Sequence, residues 1–160
     1  MADEQQKIVA IDPSTLTAAP GSTPIEFDGE LEAEIVDANI MVNTTAPEEA
    51  DKKGNMYRHA FLQVKFDING KDKHGNDLKG RIIHGNYGAK LYQRPTPYLF
   101  AGKQGATGRL LEIVNTVFGK QDIKDLPATL KGKKVFVRNA TTNFAGKEYK
   151  KVEITRFRIS

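Results

Sequence analysis

Aromatic and basic residues stand close together in three segments of the chain. The first segment offers Tyr57, Phe61 and Lys65 at even spacing. The second, KLYQRPTPYLF, contains Lys90, Tyr92, Arg94, Tyr98 and Phe100, and the third contains Arg138, Phe144, Lys147, Tyr149, Lys150 and Lys151. Flat rings stack on nucleic-acid bases and spaced cations neutralise phosphates. The combination therefore predicts a surface that binds nucleic acid without reading its sequence.

The distribution of charge along the chain supports this interpretation. Residues 1–51 contain one Lys and twelve acidic residues, a net charge of −11. Residues 52–160 contain 23 Lys and Arg and eight acidic residues, a net charge of +15. A positive field of this kind concentrates polyanions near the protein. The alternative is that Lys only keeps a small domain soluble.

Other site chemistries find little support. The absence of Cys excludes disulfides, thiolate metal sites and thiol nucleophiles. The three His lack the spacing of metal ligands, and DINGKDKHGND has Lys71 at a ligand position of a calcium loop. The segment GKQGATGR lacks the Gly-Lys-Ser/Thr that nucleotide-binding loops require. It could bind a phosphate through its backbone amides, Lys103 and Arg109, but an ordinary surface loop is favoured. We predict a non-enzymatic protein without metal or cofactor.

The elements that position these residues are mainly β-strands. Residues 30–43 alternate with one change of parity, which predicts a strand with a bulge. In the second strand Ala60, Leu62, Val64, Phe66 and Ile68 form the apolar face, so Phe61 faces outward. GRIIHGNY predicts a shorter third strand, and an irregular segment follows from Gly88 to Gly108.

One helix precedes the last two strands. Leu110, Leu111, Val114, Val117 and Phe118 form a helical stripe, with Thr107 as the N-cap and Gly119 as the stop. Residues 126–134 are predicted as a connector. Val135 and Val137 mark a fourth strand, and in the fifth Val152 and Ile154 point opposite to Tyr149, Lys151 and Glu153.

This order predicts a mainly β domain over residues 25–160, preceded by a flexible, acidic and Pro-containing arm over residues 1–24. Three strands, a helix and two strands are the element order of the OB fold, a five-stranded, partly open barrel. Its binding surface is the face of strands two and three, where the three segments would converge. Another small barrel, or a sheet with a packed helix, also fits. The sequence also fits an alternative in which these rings bind no ligand. In that alternative Tyr57 and Phe61 pack beneath the arm, and Tyr98 and Phe100 belong to the core.

Several segments together resemble a family of small phage-encoded single-stranded DNA-binding proteins that act in replication and recombination. The resemblance runs from about Gly29 to Arg158 and lies in GELEAEIVDANI, YRHAFLQVKFDI, LKGRIIHGN, LLEIVNTVFG, LKGKKVFVRN and GKEYKKVEITRFR. It implies an OB-type fold, with replication or recombination proteins as further partners. It also implies that Arg81, Lys147 and Tyr149 contact the ligand.

The sequence therefore predicts a sequence-tolerant single-stranded DNA-binding protein. Two alternatives stay open: an RNA-binding OB protein, and a non-enzymatic phage module that binds or inhibits another protein. The start of the chain lacks the features of a secretory signal and no apolar run approaches 18 residues, so we expect no membrane partner and a cytoplasmic location, in the host cell if phage-encoded.

Overall fold

The computed structural model describes residues 10, 25–42, 44–144 and 146–158, with the side chains of 142–144 and 147–149 left out of the description. The predicted arm, residues 1–24, lies outside this part of the chain except for Ala10. Within the described residues no helix is long and apolar enough to cross a membrane. In the same residues no three His, Asp or Glu side chains are grouped to hold a metal ion.

The described residues form a mainly β fold with seven strands in one antiparallel sheet, as the sequence predicted for the class. The strands are β1 (Leu31–Val42), β2 (Glu49–Ala50), β3 (Met56–Asn69), β4 (Ile82–Tyr92), β5 (Tyr98–Phe100), β6 (Lys134–Phe144) and β7 (Lys147–Phe157). Their order is β5-β4-β3-β1-β6-β7, and β2 is paired with the first two residues of β3. Helix α1 (Ala106–Phe118), a 3₁₀ turn (Ile123–Asp125) and helix α2 (Leu126–Leu130) lie between β5 and β6.

The segment predicted to be irregular is partly a β-hairpin, so that prediction was wrong. β4 continues through Tyr92, and β5 returns along it, with Leu91 opposite Leu99. The turn between them carries Pro95 and Pro97. These residues were interpreted as marks of irregular chain, whereas they occupy only the bend between two pairing strands. The predicted connector, residues 126–134, likewise begins with helix α2, and the 3₁₀ turn lies just before it.

The predicted bulge in β1 is confirmed. Pairing with β3 passes from Ile35 opposite Phe66 to Asp37 opposite Lys65, and Val36 has no partner. Ile35 and Ala38 therefore both face the core although they are three residues apart. The bulge keeps apolar residues inside along all of β1.

The core lies between the inner face of the sheet and the helices. The alternation predicted for β3 is confirmed, because its apolar face is buried from Ala60 to Ile68. α1 contributes Leu110 and Val114, and Gly119 ends it with a positive φ of 85°. The predicted N-cap Thr107 was wrong: Gly105 caps the helix, and the Thr107 hydroxyl donates instead to the Gly88 carbonyl at 2.5 Å.

The two ends of the sheet approach each other across a seam between β4 and β7. No strand ladder joins these two strands in the described part of the chain. The Ile154 amide donates to the Tyr87 hydroxyl at 2.8 Å, and burial raises the pKa of Tyr87. A Cβ at Gly85 would lie 2.8 Å from the Val152 carbonyl oxygen. The sheet therefore curls around the core without closing into a hydrogen-bonded barrel.

Candidate functional site

The outward face of β3, β4 and β5 carries a group of aromatic rings. Strand register places Tyr57 beside Tyr92, His59 beside Lys90 and Phe61 beside Gly88. β5 adds Phe100 next to Lys90 and Tyr98 next to Tyr92. We call this surface the aromatic groove, defined by Tyr57, His59, Phe61, Gly88, Lys90, Tyr92, Tyr98 and Phe100. The outward facing predicted for Phe61 is confirmed, and its ring is half-buried.

Tyr98 and Phe100 are the most exposed of the tyrosine and phenylalanine rings of the groove. They are 46% and 50% exposed, whereas Tyr92 is only 7% exposed. Tyr98 stacks on Tyr92 with ring centroids 5.1 Å apart and planes 11° apart, and Tyr57 lies against the same ring at 5.7 Å. Tyr92 was predicted to stack on a ligand, but its neighbours cover it. Tyr98 presents the free face instead.

Tyr92 fixes the loop after β2 to the floor of the groove. Its hydroxyl donates to Asp51 Oδ2 at 2.9 Å. Asp51 Oδ1 in turn accepts from the backbone amides of Lys53 and Asn55, each at 2.9 Å. The amide of Asn55, more than any other contact, lowers the pKa of Asp51. Burial, together with the hydrogen bond to Asp51, raises the pKa of Tyr92 to about 12.

We expect Tyr92→Phe to destabilise the protein at neutral pH, because the Asp51 carboxylate loses its hydroxyl donor. The Tyr92 pKa lies above its ordinary value of 10, so the wild-type advantage is complete below pH 10 and disappears as the pH passes through about 12. Chemical denaturation at several pH values should show the difference shrinking over this range. Tyr98→Phe, at the exposed neighbour, is the control. An undiminished difference at pH 12 would contradict the contact.

Two cavities open along the groove within the described residues. One, of about 540 Å³, lies between Tyr57, Tyr98 and the loop that carries Lys52 and Lys53. The other, of about 510 Å³, includes His59, Gly88 and, from β7, Lys151. Both are lined by Lys90 and Phe100, so they are neighbours along the groove. Lys90 Nζ lies 4.7 Å from the centroid of the Tyr57 ring, where the ring face attracts a cation.

Gly88 forms an open floor in the second cavity. A Cβ built on Gly88 has no heavy atom within 4 Å, and its φ is not positive. On the inner face of the same strand, a Cβ on Gly85 would lie 2.8 Å from the Phe66 ring. Gly85 is therefore required by internal packing, whereas neither packing nor backbone conformation requires Gly88. A glycine in a strand without such a reason is typical of a place where a ligand approaches the backbone.

The outward face of β3 carries charged side chains of both signs beyond Phe61. Beyond Phe61, Lys65 pairs across the sheet with Asp37 and His84, and Asp67 pairs with Glu34. The predicted contact Lys65 therefore lies beyond the groove, where Lys131 is paired with Asp37 and where Lys79 and Lys134 lie beside Glu34 and Asp67. Carboxylates and cations are mixed on this part of the face, whereas lysines gather at the aromatic end, which therefore suits an anionic ligand better.

The remaining predicted residues are divided between the groove and other surfaces. Arg94 is exposed in the turn between β4 and β5, next to the groove. Arg81 is exposed just before β4, about 20 Å along the strand from Gly88 at the usual rise per residue. Arg138 lines a separate cavity. The side chains of Phe144, Lys147 and Tyr149 lie outside the description.

Sequence reasoning missed two parts of the groove. His59 shares the outward face with Tyr57 and Phe61 by simple alternation, but the histidines were considered only as metal ligands. The ring of Tyr57 meets that of His59 edge-on at 5.3 Å, and His59 is paired with Glu49. Lys52 and Lys53 stood in a polar loop without periodicity. The pairing of β2 with β3 and the hydrogen bond between Asp51 and Tyr92 place them beside the rings.

No protein-family model matches this chain. No curated protein matches it either. The functional interpretation of the groove therefore depends on its geometry and on the sequence motifs described above.

Proposed function

We propose that the aromatic groove binds a single strand of nucleic acid, with DNA as the first candidate, without reading its sequence. The half-exposed rings of Tyr98 and Phe100 offer faces for two bases. Lys52, Lys53, Lys90 and Lys151 line the two neighbouring cavities and supply charge for the backbone. The proposed activity is binding without catalysis, in replication or recombination and in the cytoplasm.

Strand order supports an OB-type assignment for the fold. The five long strands run β4-β3-β1-β6-β7, and α1 lies between β4 and β6 in the chain. If β3 and β4 are the second and third strands of an OB fold, the groove lies on the face that such domains use for oligonucleotides. The open seam between β4 and β7 fits a partly open barrel.

The single observation that carries this proposal is Gly88. Gly88 is paired with Phe61 across the sheet and lines the cavity that Phe100 also lines, and the space above its backbone is open, so a flat group can approach the sheet. A base is flat and has apolar faces, which suit an open stretch of backbone beside aromatic rings. An unstacked strand can insert bases there, whereas the bases of a duplex are held in their own stack.

Binding to single strands is expected to weaken with added salt. Each phosphate contacted contributes about −0.7 to the log–log slope, so four lysines predict a slope near −3. The experiment is a fluorescence-anisotropy titration of a labelled oligonucleotide at several salt concentrations, with the matched duplex as control. A flat response, or equal affinity for the duplex, would contradict the proposal. A matched RNA strand tests the RNA alternative, since RNA alone offers the 2′-OH.

A further inference from the structure

One oxygen of a buried carboxylate on β7 lacks a hydrogen bond within the described residues. Glu153 is 7% exposed, and its Oε1 has no hydrogen-bond partner among the described residues. Two cations lie close to this oxygen without the alignment of a hydrogen bond. Lys151 Nζ is 3.1 Å away, and Arg109 Nη2, from α1, is 3.6 Å away. We call Lys151, Glu153 and Arg109 the Glu153 bridge.

Burial of this carboxylate disfavours folding unless its charge is compensated. One carboxylate between two cations leaves a net charge of +1 in a partly buried place. Lys151 is 31% exposed and Arg109 is 54% exposed in their side chains, so both can meet a ligand while Glu153 holds them from behind. This arrangement is suited to one phosphate group, which would bring the local charge to zero.

The Glu153 bridge lies between two cavities. Lys151 lines the second cavity of the aromatic groove. Arg109 and Glu153 line a further cavity of about 730 Å³, together with Arg138 and Asn139 of β6. Asp28 and Glu30 lie in its wall, and Glu30 is paired with Arg156. The lining of this cavity has two cations and three carboxylates, so it suits a base and a sugar better than a run of phosphates.

We infer that the bound strand continues past the aromatic groove, places one phosphate on the Glu153 bridge, and turns into the cavity lined by Arg138. Glu153 is a positioning residue that holds Lys151 and Arg109 at the spacing of one phosphate. The inference depends on the proposed function, because the same strand fills both regions. It adds a second subsite for that strand, on the other side of the seam between β4 and β7.

Glu153→Gln tests the inference by the sign of its effect. Removing a negative charge from a basic surface should tighten binding if only the overall field matters. A positioning role predicts the opposite: about fivefold to tenfold weaker binding of a 12-nucleotide strand, and a salt slope smaller by about 0.7. Glu112→Gln makes the same charge change on the exposed side of α1 and should not weaken binding. Tighter binding by Glu153→Gln would overturn the inference.

Strand length gives a second test that stays valid if Glu153→Gln fails to fold, which its melting temperature would reveal. A strand of about five nucleotides should fill only the aromatic groove, since OB folds bind about 4 to 16 nucleotides. Arg138→Ala should leave its affinity unchanged and weaken a 12-nucleotide strand about threefold or more. The inference would be overturned if Arg138→Ala weakened binding of both oligonucleotides equally, or weakened binding of neither. If wild-type protein binds neither strand, the proposed function itself fails.

Discussion

Leucine at position 88 is expected to reduce the affinity for single strands about a hundredfold or more, with no fall in melting temperature. The new side chain would extend into the open space of the second cavity, where a Cβ meets nothing within 4 Å. Excluding a stacked base removes about 1 to 3 kcal/mol of binding free energy. Blocking the path of the nucleic-acid backbone removes neighbouring contacts as well. Glycine destabilises the interior of a β-strand, so the free energy of unfolding should stay the same or rise when it is replaced.

Gly85→Leu is the matched control for Gly88→Leu. It makes the same change three residues earlier in β4, on the inner face, where a Cβ would lie 2.8 Å from both Phe66 and the Val152 carbonyl. We expect this variant to lower the melting temperature by many degrees or to fail to fold. Anisotropy titration and thermal denaturation of both variants separate the two roles. Unchanged binding by a folded Gly88→Leu protein would exclude the groove as the binding surface.

Removing both exposed rings, in Tyr98→Ala with Phe100→Ala, is expected to weaken single-strand binding about a hundredfold. Each stacked base contributes about 1 to 3 kcal/mol, which is about tenfold or more for each ring. The salt slope should hardly change, because no cation is lost. Phe61→Ala should have a smaller effect on binding, since its half-buried ring also supports the sheet. Titrations at several salt concentrations measure both quantities.

Phe118→Ala controls for the loss of an exposed ring as such. Phe118 is 37% exposed at the end of α1, and it packs edge-on against Phe157 at 5.0 Å. Its replacement should leave affinity unchanged. If the double variant loses affinity a hundredfold and its affinity also becomes nearly independent of salt, the groove itself has been disrupted. The stacking interpretation would then be wrong.

Local alternation made much of the fold predictable. Side chains of a strand alternate between faces with a period of two, so the buried stripe of β3 and the outward Phe61 follow from the residues alone. The change of parity in β1 likewise revealed the bulge, because only an inserted residue keeps apolar groups inside on both sides of it. These predictions needed no information from elsewhere in the chain.

The candidate site was less predictable, because its burial is set by distant residues. Tyr92 is covered by Tyr98 and bonded to Asp51, which is 41 positions away. Glu153 was correctly placed on the outward face of its strand, but it is buried because Arg109 from α1 and Lys151 lie against it. A sequence pattern gives the direction of a side chain, whereas its exposure depends on what the rest of the fold places over it.

The seam between β4 and β7 has a consequence for how the chain folds. The pairs β3–β4 and β6–β7 join neighbours in sequence, so each can form as a local unit. The contact between Tyr87 and Ile154 spans 67 residues, and it needs α1, α2 and both hairpins in place. Closing so long a loop is slow, which makes docking of the two halves a late step in folding. The surface from Phe100 to Arg138 would then exist only in the completed fold. A partly folded chain would present only one half of that surface to a single strand of nucleic acid.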